Sequence, residues 1–250
     1  MQNALKSVLK NPALQLALEA VILSFLLYWS FFSWLAFIAF IFAVFYFYFS
    51  PSFSWQEYLS SFLILFVSSL ALRPLIPAES WWGIAFYAGF FGLFFILLGV
   101  KNLVFINRQL LYHFFNNTLF FLVFLVFFLT NKSELFLLKY FLTFFVIFII
   151  FKELLDCHIN FERPICPISI KRNLMSAGFS LLTIQFLWAI SLLPMGFLNS
   201  SALMLILVLT LKDLVFNHLS GLLNRQVILK NITILIIFSL IIFTASNWQL

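Results

Sequence analysis

The sequence predicts an all-α, polytopic integral membrane protein: a bundle of about nine (eight or nine) transmembrane helices with no soluble domain. Residues 13–49 form an apolar stretch whose only strongly polar side chains are Gln15 and Glu19. One crossing of a hydrocarbon core of about 30 Å takes roughly 20 apolar residues, so this stretch has the length of two crossings. Charged residues make up only 9% of the chain, against roughly 25% in soluble domains, which excludes a water-exposed domain of any size.

Polar breaks divide the chain into nine candidate spans, which together form one transmembrane domain over residues 1–250. The first span starts well at Pro12, because Asn11 is a good cap and Pro fits the first helical position. The joint near Ser30–Ser33 lacks Gly and Pro, so residues 13–49 form either two spans or one long broken helix. The predicted spans are 12–31, 33–50, 57–75, 81–100, 114–130, 134–152, 174–194, 198–216 and 230–247.

The basic residues predict that the N-terminus is cytoplasmic and the C-terminus lies outside. With nine spans, 11 of the 14 basic residues fall on one side and only Arg73, Lys132 and Lys139 on the other, as the positive-inside rule requires. Six of the seven tryptophans lie near outer span ends, where amphipathic rings prefer the interface. We therefore expect a multi-pass protein of the cell membrane, of the bacterial cytoplasmic type.

The fourth span carries two small-xxx-small pairs, Ala85/Gly89 and Ala88/Gly92. Small residues at this spacing let a neighbouring backbone approach closely. We expect this span to be a central, tightly packed helix.

Residues 152–173 form the longest predicted polar loop and the best candidate for an active region. Carboxylates, His and the thiols of Cys157 and Cys166 are possible transition-metal ligands, whereas carboxylates beside basic residues can hold a divalent ion and a phosphate. The alternative is a solvated loop whose charges pair with each other and with lipid. The sequence leaves any metal or cofactor unknown. The candidate catalytic residues are Glu153, Asp156, His158 and His218, and the candidate phosphate-binding residues are Arg163, Lys171 and Arg172.

Three polar side chains fall inside predicted spans. Gln15 and Glu19 lie one helical turn apart on one face, and an ionisable group within a span is a hypothesis for function. The alternative places Glu19 near the headgroups or in a pair with a basic residue such as Lys212. Gln185, in the middle of the seventh span, is expected to hydrogen-bond to a neighbouring helix.

All three histidines, His113, His158 and His218, map to the cytoplasmic side of this topology. They could meet as a metal or proton-handling site, with Asp213 as a further ligand or an orienting carboxylate.

These features favour a non-catalytic accessory or structural membrane component, and they leave open whether the protein is an enzyme. The first alternative is a membrane-embedded enzyme acting on a phosphate-bearing or lipid substrate at the cytoplasmic face. The second is a transporter of a lipidic or small substrate, although few polar groups lie near midplane. Zincin, Walker-A, nucleophile-elbow and dinucleotide-binding motifs are absent. The expected partners are membrane lipids, whose anionic headgroups suit the net charge of +6, and another membrane protein or a second copy, but no nucleic acid.

Overall fold

The computed structural model describes residues 12–49, 58–75, 81–102, 104–130, 136–162 and 169–246, with the backbone alone at 75, 81–82, 136, 158–162 and 169–171. The described residues form nine α-helices, one 3-10 turn and no strand. The helices are α1 (Pro12–Trp29), α2 (Trp34–Phe49), α3 (Leu59–Leu72), α4 (Trp81–Lys101), α5 (Arg108–Leu129), α6 (Phe136–Glu162), α7 (Ser169–Ser191), α8 (Phe197–Leu219) and α9 (Arg225–Ala245).

The predicted class, a helical membrane protein, is confirmed. Six of the described helices are long and apolar enough to cross a membrane. Two more, α2 and α3, are apolar but have only 16 and 14 residues. The count of nine spans and the orientation of the termini stay predictions.

The chain divides into two compact units, unit 1 (Met1–Asn116) and unit 2 (Asn117–Leu250), and the boundary falls within α5. Each unit is described by itself below. The expectation of one domain over residues 1–250 stays a prediction.

Unit 1 is organised around α1, which packs against α2 and α4. The buried residues of α1 repeat at helical spacing, as expected for a helix with one packed face; they are Leu16, Ala20, Leu23 and Leu27. The joint at residues 30–33 is a turn in which the Ser33 amide donates to the Trp29 carbonyl at 3.1 Å. Residues 13–49 therefore form two helices and not one long broken helix.

The small residues of α4 do not make the close contacts predicted for them. Ala85, Ala88 and Gly89 are exposed within the described residues, and a Cβ added at Gly89 or Gly92 would meet no atom within 4 Å. Among the described glycines of α4, the close approach is at Gly99, where the Phe105 ring occupies the space that a Cβ would take. A small-residue pattern shows where a backbone can approach, but not whether a neighbouring helix lies on that face.

Unit 2 shows that the predicted loop 152–173 is largely helical. Helix α6 continues to Glu162 and α7 begins at Ser169, so the described part of this segment is helical; residues 163–168 lie outside the described residues. The buried face of α6 continues at helical spacing straight through the polar stretch: Ile147, Ile150, Phe151, Leu154 and Leu155. The loop prediction was wrong because the apolar residues between the polar ones keep the 3.6-residue period of a helix.

The turn between α8 and α9 sets the register of these two helices. Gly221 has φ +68, its amide donates to the His218 carbonyl, and the Leu222 amide donates to the Asn217 carbonyl at 2.9 Å. These are the two bonds of the Schellman motif, which favours Gly at the left-handed position. Asn224 then caps α9 by accepting from the Val227 amide at 2.9 Å. The chain reverses, and α9 packs against α8.

Candidate functional site

The candidate site of unit 2 begins where α8 and α9 face each other beside this turn. Asp213 and Asn231 lie at similar distances along the chain from Gly221, so the reversal places them opposite one another. The Asn231 side-chain amide donates to Asp213 Oδ2 at 2.8 Å. The Asn217 amide donates to the Asp213 main-chain carbonyl, also at 2.8 Å. Because Asn231 is only 5% exposed, its bond to a charged acceptor is one of the stronger polar contacts of the unit.

A groove of about 430 Å³ runs along the same helix pair. Its polar end is formed by Thr210, Asp213, Lys230 and Asn231. Its walls are apolar side chains, one pair from each helix: Ile206, Leu209, Ile234 and Phe238. The shape suits a molecule with one polar end and one hydrocarbon chain.

A second polar contact joins α8 to the start of the unit. Lys212 is only 8% exposed, and its ammonium donates to the side-chain oxygen of Asn117 on α5. A buried ammonium is tolerated only with hydrogen-bond partners, because desolvation of an unpaired charge is costly. The contact fixes α8 against α5.

A third contact joins α6 to α7, where the Arg172 guanidinium forms an ion pair with the Asp156 carboxylate. Burial raises the pKa of Asp156, while the positive charges of Arg172 and Lys152 and a hydrogen bond from Arg172 act in the opposite direction. Asp156 lies beyond the span predicted at 134–152. Both side chains are about one-third exposed, so the pair is screened by solvent.

These three contacts lie at one end of unit 2. Phe151 on α6 stacks on Phe179 of α7 at 3.7 Å between ring centroids and lies 6.3 Å from Phe216 of α8. The end of α6, the start of α7 and the end of α8 are therefore neighbours, and the Asp213–Asn231 bond adds the start of α9. In the predicted topology this is the cytoplasmic end.

Unit 1 uses its basic side chains differently. The Arg73 guanidinium donates to the Ser30 carbonyl, directly after α1, and lies 4.6 Å from the Phe37 ring centroid. The buried Lys101 ammonium donates to the Tyr48 carbonyl in the last turn of α2. The last four carbonyls of a helix have no partner within it, and a cation at this end is also favoured by the helix dipole. Both residues thus cap the C-terminal end of another helix.

The structure brings only some of the sequence-predicted site residues together. Asp156 and Arg172 are paired, Glu153 and Cys157 are half-buried on the same helix, and His218 is exposed at the end of α8. Arg163 and Cys166, with the side chains of His158 and Lys171, lie outside the described residues. The proposed catalytic and phosphate-binding roles therefore stay hypotheses.

The intramembrane polar residues divide into a confirmed pair and a correction. The Gln15 amide donates to Glu19 Oε1 at 3.3 Å, which confirms their shared face. Lys212, the suggested partner of Glu19, instead binds Asn117. Gln185 is exposed on α7 and makes no hydrogen bond with any described residue. Its role between helices stays a prediction.

The proposed histidine site is not assembled within the described part of the chain. His113 belongs to unit 1 and His218 to unit 2, and the His158 side chain is not described. Among the described residues, no group of three or more His, Cys, Asp or Glu side chains could hold a metal ion. The three-histidine idea stays a hypothesis.

Sequence reasoning missed Asn117, Lys230 and Asn231 as parts of polar contacts or of the groove. The contact between Asp213 and Asn231 could have been predicted from the sequence, since the two residues flank the Gly221 turn almost symmetrically. The pair Lys212–Asn117 had none, because 95 positions separate the two residues.

Comparison with protein-family models, curated proteins and solved structures finds no match to the chain.

Proposed function

We propose that the protein is a non-catalytic accessory or structural component of the cell membrane. The supporting observation is how the basic side chains at helix ends are used. Arg73 and Lys101 bind carbonyls at the ends of helices in unit 1, and in unit 2 Lys139 binds the Thr130 carbonyl at 2.7 Å while Lys212 binds Asn117. In lipid, each unsatisfied backbone group costs several kcal/mol, so these cations stabilise the fold.

Native mass spectrometry of the full-length protein, extracted from its own membranes with its lipids, tests this role. We expect one membrane-protein partner, or a second copy, at fixed stoichiometry. The variants Asp156→Ala and His218→Ala should retain that partner and leave any cell phenotype unchanged. A lost phenotype at normal protein level and normal melting temperature would contradict the proposal and favour catalysis.

The second candidate function is a membrane-embedded enzyme acting on a phosphate-bearing or lipid substrate. It is favoured by the convergence of α6, α7, α8 and α9 at one polar end of unit 2. Arg172 would bind a phosphate, Asp156 would act as a base or metal ligand, and His218 would act as an acid or base.

Lipid turnover in proteoliposomes distinguishes the second candidate from the first. The substitution Arg172→Gln should raise KM for a phosphate-bearing substrate, whereas Asp156→Asn should lower kcat. The matched control is Arg225→Gln, which removes an exposed charge from the start of α9. If the protein converts no lipid of the native lipid extract, the proposal that it is an enzyme is refuted.

A further inference from the structure

The groove between α8 and α9 has the dimensions of a site for a lipid chain. From Asp213 back to Ile206, and from Asn231 forward to Phe238, each helix advances seven residues. At 1.5 Å per residue, the apolar walls therefore extend about 10 Å from the polar end. The hydrocarbon part of one leaflet is about 15 Å deep, so the groove follows about two-thirds of a leaflet.

The polar end of the groove presents two opposite charges at different positions. Lys230, on α9, is an exposed cation at the groove lining. Asp213, on α8, is a half-buried carboxylate whose Oδ2 accepts from Asn231. The bond to Asn231 fixes the carboxylate in place, so its charge is presented in a defined direction.

We propose that this groove binds a zwitterionic phospholipid whose headgroup carries a phosphate and a primary ammonium, of the phosphatidylethanolamine type. The phosphate lies on the Lys230 ammonium and the lipid ammonium donates to the Asp213 carboxylate. One acyl chain lies along the walls formed by Leu209, Ile234 and Phe238. Charge complementarity identifies this class of lipid, because both charged residues find a partner in one headgroup.

Two other common phospholipid headgroups match the groove less well. A choline headgroup has no N–H and cannot donate to Asp213. A glycerol headgroup has neutral hydroxyls in place of the ammonium, so it offers Asp213 no positive charge and its phosphate charge stays uncompensated near the carboxylate. The order of affinity should therefore be ethanolamine, then choline, then glycerol lipid.

The inference does not depend on whether the protein is an accessory component or an enzyme. The site holds a lipid in either case, and its test measures binding alone. If the groove does not bind the lipid, retention of the membrane-protein partner is unaffected. If no partner is retained, lipid binding in the groove is unaffected.

Native mass spectrometry of the full chain in nanodiscs of defined composition tests the proposal. The nanodiscs contain equal parts of dioleoyl phosphatidylethanolamine, phosphatidylcholine and phosphatidylglycerol. We expect one ethanolamine lipid to stay bound to the wild-type protein. Lys230→Gln should weaken its retention about fivefold, as expected for one basic residue near a membrane surface, and Asp213→Asn should abolish the preference over choline while keeping an acceptor for Asn231.

Two further variants keep the test decisive. Ile234→Trp fills the groove and should reduce retention of all three lipids, with folding checked by the melting temperature. Arg225→Gln removes an equal charge from the same helix outside the groove lining and should change nothing. Equal retention of the three lipids by the wild-type protein, or wild-type retention by Lys230→Gln and Asp213→Asn together, would overturn the proposal.

Discussion

Unit 1 and unit 2 place similar basic residues near helix ends but give them different partners. In unit 1, Arg73 and Lys101 donate to backbone carbonyls. In unit 2, Arg172 and Lys212 bind the side chains of Asp156 and Asn117. A backbone cap can be met by almost any residue that supplies a carbonyl, whereas a side-chain pair requires two specific residues. The difference teaches that contacts between helices depend on the identity of both residues in unit 2 and on only one side chain in unit 1.

The largest effect is expected from breaking the buried pair of unit 2. Asn117→Leu leaves the buried Lys212 ammonium without its acceptor, and an unsatisfied buried charged group costs about 3 kcal/mol or more. The free energy of unfolding in detergent measures the loss. The double variant Asn117→Leu with Lys212→Met should recover most of it, because no buried charge is then left. A single variant as stable as the wild type would show that Lys212 has another partner.

A smaller loss is expected from the backbone cap of unit 1. Lys101→Met removes the donor to the Tyr48 carbonyl and should cost about 1–2 kcal/mol. Amide hydrogen exchange should then rise in the last turn of α2 before the rest of the unit. Arg225→Met, an exposed charge at a helix start, is the control and should change stability by less than about 0.5 kcal/mol. Equal losses in the two variants would refute the capping role.

Lys139 is an exception to the difference between the two units, because it is a backbone cap within unit 2. Its ammonium donates to the Thr130 carbonyl after α5 and lies 4.0 Å from the Phe127 ring centroid. Because this side chain is only half-buried, Lys139→Met should cost about 0.5–1 kcal/mol. Thermal unfolding measures it beside Lys101→Met. A loss as large as that of Asn117→Leu would show that caps are not the weaker contacts of unit 2.

The smallest effect is expected from the solvent-screened ion pair. Asp156→Asn should change the free energy of unfolding by less than about 1 kcal/mol. Because burial raises the pKa of Asp156, the stability that its neutral form contributes is fully present below the unfolded pKa of about 3.9 and is lost as pH rises through the folded pKa. Asparagine cannot ionise, so the stability of the variant relative to the wild type should rise as pH increases above about 4. Unfolding across that range is the measurement, and the opposite trend would mean that Arg172 outweighs burial.

Local signals in the sequence predicted most of the helices. The start at Pro12 was correct, because a helix start depends on residues that are neighbours in the chain. The helical extension of α6 past Lys152 was missed, although its apolar spacing was present. The exposure of Gln185 and of Gly89 could not be predicted from the sequence, because the face that a helix buries depends on which other helices surround it.

By itself, the sequence determined that the protein is a helical membrane protein, since hydropathy and charge scarcity act on each segment independently of its neighbours. It also determined most of the segments that form helices, but not the helical extension of α6 to Glu162. Only the tertiary structure decided the partners: Lys212 with Asn117, Arg73 with the Ser30 carbonyl, and the groove between α8 and α9. Contacts between residues far apart in the chain depend on how the helices pack, and helix packing in lipid is set by shape and a few polar bonds that leave no local pattern.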